Sequence, residues 1–309
     1  MAAEVSRTRA WLMAARPQTL PAAAAPVVVG TGLAVHDGVV APLPAVAALL
    51  GALLIQVGTN LANDYFDAVK GADTDDSEGF TRVTQAGLIR PGRVRTATAA
   101  VFGLAVLVGS YLVYVGGVPI LVVGLASIAS GVAYTGGPYP LGYHGLGDLF
   151  VFVFFGLVAV TGTYYVQAVT AVAGPLPLGP PTGTVTATAV VTSLPMATLS
   201  TAILVVNNVR DLETDREAGK RTLAVRFGYR VSRAEYLACL LVAYAVPVAL
   251  SLSGFDPTVL LPLATAPYAA VVARTVRVER GGEALNTALE RTGRLLAAFA
   301  ALFALGLVV

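Results

Sequence analysis

Apolar runs of about 20 residues recur along the whole chain, and each is long enough to cross a hydrocarbon core about 30 Å thick. Few folds tolerate such a pattern. In lipid a backbone must satisfy its own hydrogen bonds, so runs of this length are read as membrane-spanning helices. Punctuation by charged or Pro/Gly-rich stretches predicts nine of them, at 18–35, 43–62, 96–115, 118–135, 147–171, 184–206, 233–253, 257–273 and 292–309. Only 12% of the 309 residues are charged, against about 25% in a soluble domain, which excludes a soluble globular fold. The expectation is an all-α polytopic membrane protein with one integral-membrane domain over residues 1–309.

With a single cysteine, Cys239, no internal disulfide is expected, and His36 and His144 stand too far apart in a chain without other soft ligands to suggest zinc. A net charge of +2 does not point to nucleic acid. No cleavable leader is expected, because the first apolar stretch follows Arg16, is of spanning length and is succeeded by further spans.

Nine spans put the N-terminal segment and the loops 63–95, 136–146, 207–232 and 274–291 on one face. All 20 Lys and Arg residues fall on or at the edge of that face, which the positive-inside rule makes cytoplasmic. The N-terminus is therefore expected inside and the C-terminus outside. Acidic residues follow the same side, leaving only Asp37 and Asp256 opposite. Since Asp and Glu contribute little to orientation, something on the cytoplasmic side uses both signs of charge.

At the end of the second span, Asn60, Asp64 and Asp67 lie at i, i+4 and i+7, on one helical face. Four spans later Asn208, Asp211 and Asp215 repeat the stripe at i, i+3 and i+7. Facing carboxylates at membrane depth repel and cost several kcal/mol unless a cation compensates. Hard oxygen donors suit Mg²⁺, which is held by one or two carboxylates together with substrate phosphates. The nearby Lys70, Arg82, Arg210, Lys220 and Arg221 would be wasteful around a bare cation and fit an anionic phosphate held through metal. The implied ligand is a Mg-diphosphate at the membrane surface, and the surrounding apolar spans suit a polyprenyl chain attached to it. Departing diphosphate would leave an allylic cation for an electron-rich acceptor to attack. Tyr134, Tyr139 and Tyr143 are placed to flank that cation or an aromatic acceptor, or equally to form an interfacial belt.

The stretch from Asn63 to Asp73 and the stretch from Asn207 to Thr222 resemble the two Asp-rich motifs of the UbiA superfamily of intramembrane aromatic prenyltransferases. The likeness extends through Arg16–Pro21, Tyr134–Tyr143 and Gly162–Gln167, and is nearest to the menaquinone branch, the 1,4-dihydroxy-2-naphthoate polyprenyltransferases. That resemblance implies a nine-helix bundle, a cytoplasmic active site, and two Mg²⁺ ions joining a polyprenyl diphosphate to the motifs. It also implies C-prenylation of 1,4-dihydroxy-2-naphthoate with loss of its carboxylate, giving demethylmenaquinone. Carried over by motif, Asn63, Asp64, Asp67, Asn208, Asp211 and Asp215 form the metal and diphosphate face, and Lys220 and Arg221 grip diphosphate. Arg16 either meets an anionic substrate group or snorkels at a helix start. Many members carry a further Asp four residues after Asp67, where this chain has Gly71 followed by Asp73, an arrangement of the menaquinone branch.

Other acceptors within the superfamily stay open at this point. From a different class, a secondary transporter also places acids in membrane helices, but here the outer half of nearly every span is apolar. A P-loop at Gly219–Thr222 is excluded, since position 214 is Thr and Arg221 separates Lys220 from Thr222. No obligate protein partner is evident; the bilayer is the expected surrounding.

Overall fold

The computed structural model describes residues 5–70 and 83–309, apart from the side chain of Lys70. Ser6 caps α1 (Arg7–Ala15), its Oγ accepting from the Arg9 amide at 3.3 Å. The helix ends at Arg16, whose φ of 51° is left-handed, just before Pro17. A non-glycine residue there costs about 1–2 kcal/mol, and the bend is fastened by Thr19, whose backbone N–H and hydroxyl both donate to the Arg16 carbonyl at 2.9 Å. A 3-10 turn, Pro17–Thr19, then opens into α2 (Leu20–His36).

After α3 (Pro42–Lys70) and α4 (Pro91–Ala133) comes α5 (Gly147–Phe152), which continues through a π-helical segment, Val153–Val158, into α6 (Ala159–Val172). Next are α7 (Ala187–Arg210), the short α8 (Leu212–Glu217) and α9 (Leu223–Leu252). A 3-10 stretch, Pro257–Thr265, leads to α10 (Ala266–Val278), and α11 (Gly282–Val308) closes the chain.

Eight helical stretches among the described residues are long and apolar enough to cross a membrane, against the nine expected. The difference lies in α4, where the expected spans 96–115 and 118–135 are one 43-residue element broken at Gly117. As a straight helix it would reach about 65 Å, twice the hydrocarbon thickness. Instead it folds back: a Cβ added at Gly58 or at Gly131 would meet the Phe102 ring, at 2.8 and 3.8 Å. Residues on either side of the break thus stand at one level of α3, and the two limbs lie side by side. Gly117 holds φ 67°, and a Cβ there would fall 1.8 Å from the Pro177 carbonyl oxygen, so both its conformation and its surroundings require glycine. The 173–186 connection pins the bend, with Val118 N donating to Pro177 O at 3.0 Å, and so does α6, with Tyr165 Oη donating to Gly116 O at 2.7 Å.

Helices also outrun the apolar runs that announce them. α9 and α11 each begin ten residues before the expected spans at 233 and 292: α9 opens at its Thr222 cap and leaves helical geometry once, at Gly228, before the apolar stretch, and α11 opens on Gly282 and the acidic Glu283. The main core forms where α7 is enclosed by α2, α9 and α11, with Met196 and Leu199 packed among Leu33, Tyr236, Leu295 and Phe299. Lipid tails are as apolar as leucine, so close packing rather than water exclusion holds such helices together. At Gly156 the α5–α6 stretch presses on α7, and an added Cβ would lie 2.2 Å from Ala197 Cα. Gly156→Val is therefore expected to cost about 3 kcal/mol or more, the upper end for overpacking, seen as a lowered Tm of purified protein. Gly162→Ala, inside α6 and with an added Cβ that meets nothing within 4 Å, is the matched control and should leave Tm unchanged or raised. A smaller core joins Ala10 and Ala14 of α1 to Leu61, Val83, Ile89 and Val94, fixing α1 across the end of α3 beside the polar site.

Candidate active site

Gln56, Asn60, Asn63 and Asp67 follow one another along α3 at i, i+4, i+7 and i+11, so they share a face. Gln56, Asn63 and Asp67 line a polar cavity of about 700 Å³. The facing wall comes from the end of α7 and from α8. Asp211 leaves helical geometry at φ −91° and ψ 9°, and its carbonyl accepts from the Asp215 amide at 2.7 Å, which carries Asp215 into the same cavity. Asn63, Asp67, Asn208, Asp211 and Asp215 are thus brought together, as are the cations of Arg16 and Lys220.

A chain of side-chain contacts joins the two acidic helix ends. Tyr143 Oη donates to Asp67 Oδ1 at 2.7 Å, Lys220 Nζ stands 5.2 Å above the Tyr143 ring, and the same ammonium donates to Asp215 Oδ1 at 2.8 Å. Asn63 Oδ1 accepts from the Thr135 hydroxyl at 2.9 Å. Arg210 forks onto its neighbour Asp211 at 2.6 and 2.7 Å and also donates to Asn207 and Asn286 at 3.0 Å. Burial pushes the Asp215 carboxyl up from its ordinary value, and Lys220 beside it offsets this only in part. Desolvation, then the charges of Asp148, Asp215 and Asp67, likewise hold the Tyr134 phenol well above the usual range, so it remains a neutral donor.

Other expected site residues lie elsewhere. Asp64 is buried and accepts from the backbone N–H of Thr84 at 3.2 Å and from the Thr84 hydroxyl, and it lines no part of this cavity. Asn60 donates to Ala15 O and Thr19 Oγ1, both at 2.9 Å, tying the α1–α2 bend to α3. Arg221 is exposed and holds the site through its backbone, donating to Tyr143 O at 2.7 Å. Tyr139 is exposed and stacks on His144 with ring centroids 3.7 Å apart. Arg82, Asp73 and the Lys70 side chain lie outside the described residues. Gln56, Asn207, Ser200 and Arg294 line the cavity although the stripes did not single them out; Gln56 sits one helical turn before Asn60 and was legible by extending the stripe.

A second, mostly apolar cavity of about 540 Å³ runs between α2, α3, both limbs of α4 and the α5–α6 stretch. The two cavities meet along Ala22, Gln56, Asn63, Tyr134, Val151 and Phe155. Among the described residues no three His, Cys, Asp or Glu side chains converge tightly enough to hold a metal alone. Spaced oxygen donors with a buried, incompletely neutralised carboxylate fit instead a hard cation that takes its remaining ligands from water and phosphate.

Residues 23–289 match the UbiA prenyltransferase family. The chain belongs to this family. It is 41% identical over 98% of its length to 96% of "1,4-dihydroxy-2-naphthoate octaprenyltransferase" of Escherichia coli (strain K12). A protein of the same name from Mycobacterium tuberculosis (strain ATCC 25618 / H37Rv) is 39% identical over 92% of this chain and 91% of its own. A UbiA homolog from Archaeoglobus fulgidus, solved bound to DMAPP and Mg²⁺, shares the fold with a TM-score of 0.64 at 16% identity, over 96% of this chain and 98% of that one. The UbiA family is a family of prenyltransferases, so the enzyme class expected from the motifs is that of the family and of its curated relatives.

Proposed function

We propose that this UbiA protein transfers a polyprenyl group from a polyprenyl diphosphate to 1,4-dihydroxy-2-naphthoate. The observation that carries the reading is the meeting of Asp67 with Asp211 and Asp215 around a polar cavity that abuts an apolar one. A diphosphate fits the first and a polyprenyl chain the second, and the naphthoate names of the curated relatives support the acceptor. Asn63, Asp67, Asn208, Asp211 and Asp215 are the groups that would hold Mg²⁺. The ion, when bound, supplies positive charge that steadies the diphosphate as it accumulates negative charge.

The protein's own part follows from where its groups stand. Lys220 and Arg16 offer donors to anionic oxygen inside the cavity. Tyr134, at the meeting of the two cavities, presents a neutral aromatic face to the carbon that loses diphosphate. In the net reaction the donor C–O bond breaks with its electron pair leaving on diphosphate. A C–C bond forms to the ring, whose carboxylate departs as carbon dioxide and returns its bonding pair. We place the mouth on the cytoplasmic side, because the basic residues gather at that end. With the two limbs of α4 each crossing, the C-terminus emerges opposite.

Purified protein given a polyprenyl diphosphate, 1,4-dihydroxy-2-naphthoate labelled in its carboxyl carbon, and Mg²⁺ tests this. Expected are prenylated product without the carboxylate, released labelled carbon dioxide, and arrest by chelator with recovery on adding Mg²⁺. A product that keeps the carboxylate, or turnover only with another aromatic acceptor, would overturn the assignment.

A further inference from the structure

The hydrogen bonds around Gln56 determine which way its amide faces. Thr19 Oγ1 gives its proton to Arg16 O, so it can only accept from the two amides that reach it. Asn60 must turn Nδ2 toward the Ala15 carbonyl, which leaves Asn60 Oδ1 facing Gln56. Gln56 therefore directs Nε2 at two acceptors, Thr19 Oγ1 and Asn60 Oδ1, each 3.1 Å away. Its Oε1 is left buried with no hydrogen-bond partner, on a residue that borders both cavities. A buried acceptor in this state is costly and calls for a partner.

Ser200, on the α7 side of the polar cavity, repeats the anomaly. Helical Ser and Thr hydroxyls usually return to a carbonyl three or four residues back, as Ser193, Thr198 and Thr201 of the same helix do. Ser200 Oγ is buried and makes no such bond. No hydrogen bond opposes a rotation about its Cα–Cβ bond into the cavity that the residue lines.

What Gln56 Oε1 would take follows from its chemistry, and Ser200 Oγ, which both donates and accepts, can pair with the same ligand. An amide oxygen accepts only, so it disfavours the oxygens of an ionised diphosphate or carboxylate and selects an O–H donor. A polyprenyl diphosphate has none, whereas a dihydroxylated aromatic acceptor has two. We infer that Gln56 and Ser200 bind the ring hydroxyl groups of the acceptor, Gln56 where the polar cavity meets the apolar one and Ser200 within the polar cavity. This rests on the acceptor reading given above and adds the residues that recognise it.

The test compares Ser200→Ala and Gln56→Leu with wild type, measuring KM separately for the polyprenyl diphosphate and for 1,4-dihydroxy-2-naphthoate. Thr192→Val is the control, since Thr192 Oγ1 is also buried without a partner but lines neither cavity. Each cavity variant is expected to raise acceptor KM about threefold to tenfold, the worth of one hydrogen bond, with donor KM unchanged. The penalty should shrink toward onefold in at least one variant when the acceptor is 1-hydroxy-2-naphthoate, which lacks one hydroxyl. Gln56→Leu also removes two structural bonds, so Ser200→Ala decides: an orphan hydroxyl of purely structural standing would leave Tm unchanged or raised and acceptor KM unmoved. Normal wild-type turnover with unmoved acceptor KM in Ser200→Ala overturns this inference alone. Absence of wild-type turnover with the naphthoate overturns the acceptor reading and this inference with it.

Discussion

Asp67→Asn and Asp215→Asn are each expected to lower kcat for prenyl transfer by about 10²–10³-fold, the usual loss when one preorganised electrostatic contact to a developing charge is removed. Asparagine keeps the size and one oxygen, so the change is in charge rather than in packing. Asp67 would still accept from Tyr143 Oη through its remaining oxygen, and Asp215 would keep a carbonyl for Lys220. What each variant lacks is the negative charge that makes the cavity attractive to a divalent cation. The double variant should lose little beyond the worse single one, because groups that act through one bound species are not additive. Turnover with Mg²⁺ titration checks the effect, and an unchanged Tm would show that the loss is chemical.

Arg210→Leu is expected to act on folding as well as on catalysis. The Arg210 side chain is only 3% exposed and Asp211 19%, so this is an ion pair within the protein rather than on its surface. Removing the cation leaves Asp211 with an uncompensated buried charge, an imbalance worth about 3–5 kcal/mol. It also frees Asn286 on α11 and Asn207 on α7, which Arg210 joins. The lower end of that range applies, since Asp211 keeps some access to the cavity. Arg210→Lys should recover only a minority of the loss, because an ammonium cannot make the two-pronged contact. Thermal unfolding of purified protein measures both, and added Mg²⁺ with diphosphate should raise Tm in wild type and variant alike by binding the folded state alone.

Much of this was legible in the chain, and the exceptions have physical causes. Apolar length marks where helices cross but not where they stop, so the first ten residues of α9 and of α11 lie outside the expected spans, as does α1, whose apolar content is slight. Gly117, by contrast, lies between two apolar runs read as separate spans, and the backbone leaves helical geometry there at φ 67° and ψ −153°, so each run falls on its own limb of α4. At the site, helical spacing identifies a face only to within about one residue, because i+3 and i+4 both neighbour i. The stripe read as Asn60, Asp64 and Asp67 is turned in the structure so that Gln56, Asn63 and Asp67 face the polar cavity and Asp64 faces Thr84. The second stripe kept its members because Asp211 leaves helical geometry there and brings Asp215 round. Between two tyrosines four residues apart, only the fold distinguishes Tyr143, bonded to Asp67, from Tyr139, stacked outside on His144.

The central claim is that the two acidic helix ends hold one Mg-diphosphate between them. Equilibrium binding of a polyprenyl diphosphate with and without Mg²⁺, to wild type and to Asp67→Asn and Asp215→Asn, tests it most directly. Mg²⁺ should tighten binding to the wild type and should fail to do so in either variant, although the residues come from helices far apart in sequence. Wild-type affinity with full Mg²⁺ dependence in one of the two variants would contradict the account.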